Sequence, residues 1–205
     1  MKQIANGLVV WNEEEIIKRE ALVQRLVVAV KNTLYDINPA IQVFRIEAPC
    51  LIPQDWAIGH LPVYKIDTRY ALRGESTKGT YWVQDQFQYK LPICLYQVNK
   101  SFRDEKSEAI RISHHRYREF WQIEFQLFYS PDTKADYHKL FVEKFKDKGF
   151  GVPVELAIKD LPPYSLKTTD LEINNVEVAS LSNRTDYKVP VFEMSFGLDR
   201  LISLI

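Results

Sequence analysis

The first strong pattern along the chain is helical. Between residues 12 and 36, apolar side chains recur at spacings of three, four and seven, which predicts an amphipathic helix with one buried face. Asn12 followed by Glu15 is a capping-box arrangement, so it places the start of this helix. Asn38-Pro39 ends it, because the residue before a proline disfavours helical backbone. The predicted buried face consists of Ile16, Val23, Val27, Val30 and Leu34.

Much of the remaining chain alternates apolar and polar positions, which predicts strands. Strands are expected at 41–49, 68–72, 91–102, 116–129, 152–158, 171–181 and 189–195, with a hairpin loop at 106–115. Helices are expected at 76–90, at 132–148 with Gly149 just past its end, and at 197–205. The helices are separated by runs of strands and do not alternate with single strands. The expected fold class is therefore α+β, an antiparallel β-sheet flanked by helices in a single domain, 1–205.

Three of the predicted strands have one apolar face and one polar face, because side chains alternate across a strand. A polar face in water is the ordinary interpretation, but such faces are usually rich in lysine, glutamate and threonine. Here they carry arginine, glutamine, glutamate, serine and one phenylalanine, residues suited to phosphate contact and base stacking. The pattern by itself leaves both interpretations open. The polar faces comprise Gln97, Asn99, Ser101, Arg103 and Glu105, then Arg116, Arg118, Phe120, Gln122, Glu124 and Gln126, then Glu193 and Ser195.

Composition and charge narrow the function classes. The 205 residues include 27 lysines and arginines and 27 aspartates and glutamates, so net charge gives no argument for nucleic-acid binding. Cys50 and Cys94 have neither metal-site nor redox-motif spacing, and the four histidines lack zinc-ligand spacing, so no zinc is expected. The absence of a signal-like start and of a long apolar run predicts a soluble cytoplasmic protein with no membrane partner.

The sequence resembles the catalytic core of the class II aminoacyl-tRNA synthetases. The second motif of that class, Phe-Arg-x-Glu, a loop and Arg-x-Arg-Glu-Phe, corresponds to 102–105 and 116–120. Its third motif, Gly-Leu-x-Arg opening a helix, corresponds to 197–200. The first motif, a helix and then a strand ending in proline, fits more loosely. The resemblance places motif 1 at about 12–53, motif 2 at about 101–128 and motif 3 at about 189–205.

Within this class, the motifs are most similar to those of the glycyl-tRNA synthetases. The family pattern Leu-Arg-Pro-Glu-Thr-Ala-Gln-Gly corresponds to 72–79, and Arg-Glu-Phe-x-Gln-x-Glu to 118–124. Asn-Arg-Thr-Asp-Tyr corresponds to 183–187, and Glu-Pro-Ser-x-Gly-Leu to 193–198. Several fragments in the family's order are far more specific than any one of them. The departures, none of which removes a charged group, are Gly74, Lys78, Ser180 and Met194.

The resemblance implies a role in ATP binding for one set of residues. Arg103 would hold the α-phosphate and the substrate carboxylate, Glu105 would bind the adenine amino group, and Phe120 would stack under the ring. Arg200 would clamp the γ-phosphate with help from Arg184, and Arg103 and Arg200 would be catalytic. The implied ATP-binding set is Arg103, Glu105, Arg116, Phe120, Glu177, Arg184 and Arg200.

A second set would surround the ammonium group of the amino acid. Glu193 of this set and Glu177 of the ATP-binding set would in addition be ligands of a magnesium ion that is bound to the phosphates of ATP. Carboxylates around the ammonium group suit glycine, which has no side chain to recognise. The implied amino-acid-binding set is Glu75, Gln122, Glu124, Glu193 and Ser195.

The resemblance therefore implies an aminoacyl-adenylate-forming ligase that uses ATP and Mg²⁺ on a small amino acid, with glycine favoured over alanine, serine or threonine. The acceptor of the aminoacyl group could be a tRNA end, a carrier protein, a modified nucleic acid or a small molecule. The anticodon-binding domain of the synthetases is not expected here, so tRNA selection through the anticodon is not expected either. A homodimer formed through motif 1 is expected. In the loop, Lys106, Arg111, His114 and His115 either contact phosphate of the acceptor or face solvent.

A different class of function is a non-catalytic paralogue that acts as a regulatory or accessory subunit. Such relatives tend to lose the phosphate-binding arginines, whereas this chain keeps Arg103 and Arg200. The two arginines therefore favour the enzyme.

Overall fold

A mixed sheet with helices against both of its faces forms the centre of the computed structural model, which describes residues 2–57, 61–110, 115–145, 150–157 and 161–205. Within these residues the sheet has seven strands in the order β3-β6-β7-β11-β10-β9-β8, antiparallel except for the parallel pair β3–β6. The α+β prediction of an antiparallel sheet flanked by helices is confirmed. The strands are β1 (Lys2–Ala5), β2 (Leu8–Val10), β3 (Gln42–Arg45), β4 (Leu51–Pro53), β5 (Tyr70–Leu72), β6 (Ile93–Phe102), β7 (Glu119–Phe128), β8 (Glu155–Ala157), β9 (Ser165–Ile173), β10 (Val176–Arg184) and β11 (Val191–Gly197), and the helices are α1 (Glu13–Ile37), α2 (Thr77–Phe87), α3 (Tyr137–Phe145) and α4 (Leu198–Leu204).

The long helix α1 starts where the sequence predicts. Asn12 accepts a hydrogen bond from the Glu15 backbone at 2.9 Å, and Glu15 accepts one from the Asn12 backbone at 3.0 Å, which completes the capping box. Val27, Val30 and Leu34 are buried as predicted, whereas Ile16 and Val23 are only half-buried. The buried face also includes Leu22, Leu26 and Thr33.

The two faces of the sheet are covered differently. On one face, α1, α3 and α4 enclose the main apolar core, to which β7 and β11 contribute alternate residues such as Phe125 and Phe192. On the other face, α2 covers only one end, where Tyr81 and Val83 pack against Ile93. The rest of that face is polar, so it is the part of the sheet available for a ligand site.

One strand prediction is wrong. The expected single strand 171–181 is the hairpin of β9 and β10, which turns at Asn174-Asn175. Both asparagines have positive φ angles, 53° and 60°, as a tight two-residue hairpin turn requires. The N-terminal hairpin of β1 and β2 was not predicted either.

Several element boundaries also differ from the predictions. β3 ends at Arg45, four residues before the proline at which the predicted strand ends. α3 begins at Tyr137, five residues later than predicted. The predicted helix end at Gly149 lies outside the described residues. In the described part of the chain, no helix is long and apolar enough to cross a membrane.

Candidate active site

The sheet register brings the predicted polar residues onto one face. Glu124 of β7 lies opposite Gln97 of β6 on one side and opposite Ser195 of β11 on the other. Phe120 lies opposite Ser101 in the same way. The alternation predicted from sequence is confirmed for these strands, and the polar face is a common surface of β6, β7 and β11.

A cavity of about 250 Å³ opens on this face beyond the end of β6. We call it the arginine-lined cavity, because three arginines from different segments surround it. Gln122 and Ser195, both predicted to bind the amino acid, also line it. Six of the seven predicted ATP-binding residues line it, namely Arg103, Glu105, Arg116, Phe120, Glu177 and Arg200.

Two of the cavity arginines are held by neighbours within the site. The guanidinium carbon of Arg103 lies 5.1 Å from the ring centroid of Phe120, and its Nε donates to the Gly74 carbonyl at 3.4 Å. Arg116 forms an ion pair with the buried carboxylate of Glu105 at 2.8 Å. The cavity therefore has fixed positive charge, an aromatic ring and one buried acceptor, which is a suitable set for a nucleotide.

Glu177 reaches the cavity because β10 is irregular. The pairing of β10 with β9 shifts between Glu177 and Ala179, and such a bulge reverses the alternation of side chains along a strand. Glu177 and Ser180 consequently both line the cavity despite their odd spacing. Arg200 donates to the Glu177 carbonyl at 2.8 Å and lies 3.4 Å from its carboxylate.

Arg184 is not brought to this cavity, although it was predicted to help Arg200 hold the γ-phosphate. Its side chain is 1% exposed and forms ion pairs with Glu75 at 3.1 Å, Asp186 at 2.9 Å and Glu193 at 3.0 Å. It lines a separate cavity of about 470 Å³ instead. Since the N–H donors of Arg184 are used by these three carboxylates, the geometry indicates that Arg184 neutralises buried acidic side chains.

We call Glu75, Glu124, Asp186 and Glu193, together with Arg184, the acid cluster. Burial opposes the ionised state of Asp186, but hydrogen bonds from Arg184 hold the pKa of this carboxyl well below its ordinary value. Burial likewise opposes the charge of Arg184, but Glu193 and Glu75 raise its pKa above the ordinary value. The cluster therefore contains a stable buried arginine with carboxylates on several sides.

Glu193 lies deep in this cluster and away from Glu177. It accepts hydrogen bonds from Thr77 at 2.8 Å and Gln126 at 3.2 Å as well as from Arg184. It pairs with Ser182 on β10, five residues from Glu177, which is roughly 15 Å along a strand. These two predicted magnesium ligands cannot hold the same ion. In the described ranges there is no group of three or more histidine, cysteine, aspartate or glutamate residues that could hold a metal.

Glu124 connects the acid cluster to the arginine-lined cavity. The backbone N–H of Ser76 donates to it at 2.8 Å, the Ser76 hydroxyl also donates, and Gln122 donates at 2.8 Å. The hydroxyl of Ser195 lies 3.4 Å away. Burial, with the nearby carboxylates of Glu193 and Glu75, raises the pKa of Glu124 to about 7.

Asp199 is a buried carboxyl that the sequence did not single out. The ladder between β7 and β11 ends at Gln122, and Asp199 accepts the next backbone N–H, that of Trp121, at 3.1 Å. Burial raises its pKa to about 7. The sequence offered one signal for this residue, which is that Asp199 directly precedes Arg200 in the third motif.

Ser76, Thr77 and Asp186 were also missed, although each lies inside a motif quoted above. They hold the glutamates and Arg184 in place. In the loop, His115 lines the arginine-lined cavity and its Nδ1 lies 3.2 Å from the Tyr117 hydroxyl. Arg111 and His114 lie outside the described residues.

The free energy of unfolding is expected to fall as pH rises from 5 to 7.5, because Glu124 and Asp199 have raised pKa values in the folded state. Both carboxyls keep their proton in the folded state up to about pH 7, against ordinary values of 4.5 and 3.8. In this window the folded state binds more protons than the unfolded chain, so each group lowers stability by up to about 1.4 kcal/mol per pH unit. Urea denaturation across this range measures the slope.

The matched variant for this slope is Glu124→Gln, which cannot titrate. The difference in unfolding free energy between wild type and variant should change steadily from pH 5 to 7 and level off above it. A difference that is constant with pH would contradict the raised pKa of Glu124.

Comparison with known proteins gives the class of this domain. A Giardia lamblia prolyl-tRNA synthetase in complex with prolyl-adenylate matches with a TM-score of 0.75 and 14% identity over 98% of this chain and 48% of its own. A pyrrolysyl-tRNA synthetase from Desulfitobacterium hafniense matches with a TM-score of 0.67 and 18% identity over 90% of this chain and 68% of its own. The domain therefore has the catalytic fold of the class II aminoacyl-tRNA synthetases.

Sequence comparison finds relatives of this chain among the glycine–tRNA ligases. The chain is 31% identical to the glycine–tRNA ligase of Mycoplasma capricolum over 140 residues, 60% of this chain and 30% of that protein. It is 30% identical to that of Deinococcus radiodurans over 145 residues, 62% of this chain and 28% of that protein. No family model matches this sequence. The chain is thus a class II synthetase-like domain similar to the glycine–tRNA ligases, and it spans about 30% of the length of the relatives it matches.

Proposed function

We propose that this domain activates a small amino acid, glycine, with ATP to give an aminoacyl-adenylate and pyrophosphate, and then passes the aminoacyl group to an acceptor. The observation that carries the proposal is the adjacency of two sites of opposite charge. Arginines line a cavity suited to phosphates, and Glu124, beside Gln122 and Ser195 of that same cavity, belongs to a cluster of carboxylates. A zwitterionic amino acid and a triphosphate need this arrangement.

Adenylate formation is a substitution at phosphorus. A carboxylate oxygen of the amino acid attacks the α-phosphorus, and the bond from that phosphorus to the bridging oxygen of the β-phosphate breaks. Attack brings two anions together, so a fixed cation at the α-phosphate lowers the barrier. Arg103, braced by Phe120 and the Gly74 carbonyl, is assigned this role. Arg200, which lines the same cavity from α4, is assigned to the outer phosphates, as the resemblance to the synthetases implies.

Of the two predicted magnesium ligands, we assign the ion to Glu177. Glu177 lines the arginine-lined cavity, whereas Glu193 is committed to Arg184, Thr77 and Gln126. Because the described residues contain no protein-only metal site, the ion would arrive with the phosphates of ATP. When bound, it would neutralise charge on the departing pyrophosphate.

The carboxylates support a preference for glycine. Four hydrogen-bonding groups around Glu124 keep this side chain fixed, so its ionised form, which prevails above about pH 7, can act as a rigid acceptor for an ammonium group. Favourable contact with one methylene distinguishes substrates by only about 1–3 kcal/mol, so discrimination between glycine and alanine needs walls that exclude a β-carbon. The similarity to glycine–tRNA ligases over 60% of this chain supports the same choice.

The mixed anhydride of an adenylate transfers its acyl group to a hydroxyl, a thiol or an amine. A tRNA end, a carrier protein, a modified nucleic acid and a small molecule therefore all stay within the proposal. The retention of Arg103, Arg116 and Arg200 around one cavity favours the enzyme over a non-catalytic paralogue.

Trapping with hydroxylamine tests the proposed activity. Hydroxylamine converts an activated amino acid to its hydroxamate, so incubation with glycine, ATP and Mg²⁺ should give glycine hydroxamate, detected by mass spectrometry. Omission of ATP is the control. Formation of no hydroxamate by folded protein would argue for the paralogue.

We also propose that the domain forms a homodimer through its motif 1 helix. The outer side of α1 exposes Ile17, Val28 and Tyr35, each more than half accessible. Such a face on a 25-residue helix is typical of an interface. Wild-type protein should sediment as a dimer at micromolar concentration, and Val28→Glu should shift it toward monomer.

The control for the dimer is Leu166→Glu, which changes an even more exposed apolar residue, on β9, and should leave the dimer intact. Sedimentation of the wild type as a monomer only, or equal effects of both substitutions, would exclude an interface on α1.

A further inference from the structure

The cavity arginines on the β6–β7 hairpin stand just outside regular sheet. Pairing of β6 with β7 ends at Phe102 and Glu119. The sheet does not fix the backbone of the cavity residues beyond this end: Arg103 and Glu105 come after Phe102, and Arg116 comes before Glu119. Another set of contacts must position them.

Backbone hydrogen bonds extend the hairpin irregularly past the end of the sheet. The N–H of Arg103 donates to the Arg118 carbonyl at 2.8 Å, and the N–H of Arg118 donates to the Gly7 carbonyl at 2.8 Å. On the opposite flank, the N–H of Asp104 donates to the Pro62 carbonyl at 2.9 Å. The backbone that carries Arg103 is therefore held from both sides, and one side ends at the N-terminal hairpin.

The Arg118 side chain joins three segments at this point. Its Nε donates to the Asn6 carbonyl at 3.2 Å and its Nη1 to the Tyr64 hydroxyl at 3.1 Å. The same guanidinium donates to Asp104 at 3.3 Å and Ser107 at 3.4 Å. Arg118 does not line the arginine-lined cavity, although strand alternation placed it on the same face as Phe120. β7 begins only at Glu119, so that alternation does not extend to it.

Gly7 allows the close approach of the N-terminal turn to Arg118. Its φ angle is +77°, in the region that glycine adopts without strain. A Cβ on Gly7 would lie 2.8 Å from Arg118 Cγ, 3.1 Å from its backbone nitrogen and 3.1 Å from Ile110 Cδ1. Any other residue would push the turn away from Arg118.

We infer that Arg118, seated against the Asn6-Gly7 turn, Tyr64 and the loop residues Asp104 and Ser107, is a positioning residue for the ATP site. We call this set the Arg118 clasp. It fixes the backbone on which Arg103, Glu105 and Arg116 stand, and it does so without contacting the nucleotide. The link to ATP rests on the proposed function, whereas the effect of the clasp on the backbone does not.

Gly7→Ala tests the clasp, and the chain offers a matched control. Gly151 has a nearly equal φ of +74°, but a Cβ there would meet only an Arg25 nitrogen at 3.9 Å. Gly151→Ala therefore imposes the same backbone strain without the collision. Hydrogen exchange in the unliganded protein is measured on peptides that cover Arg103, Asp104 and Arg118.

In Gly7→Ala we expect these amides to exchange about tenfold faster than in wild type, which corresponds to about 1.4 kcal/mol of local opening. In Gly151→Ala they should be unchanged. Equal exchange in both variants, whether faster or not, would overturn the inference. If Gly7→Ala does not fold, Arg118→Lys replaces it, since lysine keeps the charge but cannot reach Asn6 and Tyr64 together.

The kinetic test uses adenylate formation. In Gly7→Ala and Arg118→Lys the KM for ATP should rise by about tenfold, about 1.4 kcal/mol. The KM for glycine should rise clearly less, because Arg103 is the one clasp-held group assigned to the amino acid and the acid cluster lies outside the clasp. Equal rises in both constants would indicate general structural damage and overturn the positioning role. If wild-type protein forms no adenylate, the proposed function fails, and hydrogen exchange alone still decides whether the clasp holds the loop.

Discussion

Replacement of Arg103 by alanine should lower kcat/KM for ATP in amino-acid-dependent ATP–pyrophosphate exchange by a factor of about 100 to 1000, as for loss of one preorganised donor at a developing charge. Arg103 is the cavity arginine that also lies against Phe120 and the Gly74 carbonyl. Under the proposed function, its loss removes the fixed cation where the carboxylate meets the α-phosphate. The fold should be retained, because the side chain is not part of the apolar core.

The control for Arg103 is Arg69→Ala. Arg69 is an exposed arginine whose guanidinium lies 5.2 Å from the Tyr70 ring, outside the arginine-lined cavity. Arg69→Ala removes the same charge as Arg103→Ala. Its exchange rate should stay within about twofold of the wild-type rate, a difference below about 0.5 kcal/mol. Equal losses in the two variants would mean that overall charge, and not the position of Arg103, sets the rate.

Arg184→Met should destabilise the protein by about 3–5 kcal/mol at pH 8, because removal of one partner from a buried ionic group leaves uncompensated charge. Glu75, Asp186 and Glu193 would each lose an ion pair with this side chain, which is 1% exposed. Urea denaturation at pH 8 measures the loss. Arg45→Met removes an exposed pair with Glu47 and should cost at most about 1 kcal/mol.

The loss caused by Arg184→Met should be smaller at pH 5. Without the arginine, burial raises the pKa of the remaining carboxyls in the folded state above their values in the unfolded chain. The folded variant then binds protons that the unfolded chain releases, so its stability increases as pH falls toward the unfolded values. A loss that is as large at pH 5 as at pH 8 would show that Arg184 acts by packing and not by charge.

Strand alternation predicted the part of the site that lies on regular sheet. Glu124, Gln122 and Phe120 were placed on one face from spacing alone, and the register confirms it. Three neighbouring strands keep their pleat there, so the period of two holds. The start of α1 was predictable for a similar reason, because the capping box of Asn12 and Glu15 is a local interaction.

Positions that depend on departures from regular geometry could not be predicted in this way. Glu177 reaches the cavity through a bulge, and Arg118 turns away from it because the strand has ended. The location of Arg184 depends on which long-range partners it finds, and spacing does not encode them. The turn at Asn174-Asn175 did carry a local signal, since two adjacent asparagines favour positive φ.

The most direct test of the central claim is ATP–pyrophosphate exchange by the wild-type domain with glycine, alanine, serine and threonine compared side by side. Exchange reports reversible adenylate formation and requires no knowledge of the acceptor. We predict exchange that depends on glycine and is at least about tenfold weaker with each of the others, a difference of about 1.4 kcal/mol in transition-state binding. Absence of exchange with all four amino acids, in protein shown to be folded, would contradict the claim that this domain activates a small amino acid.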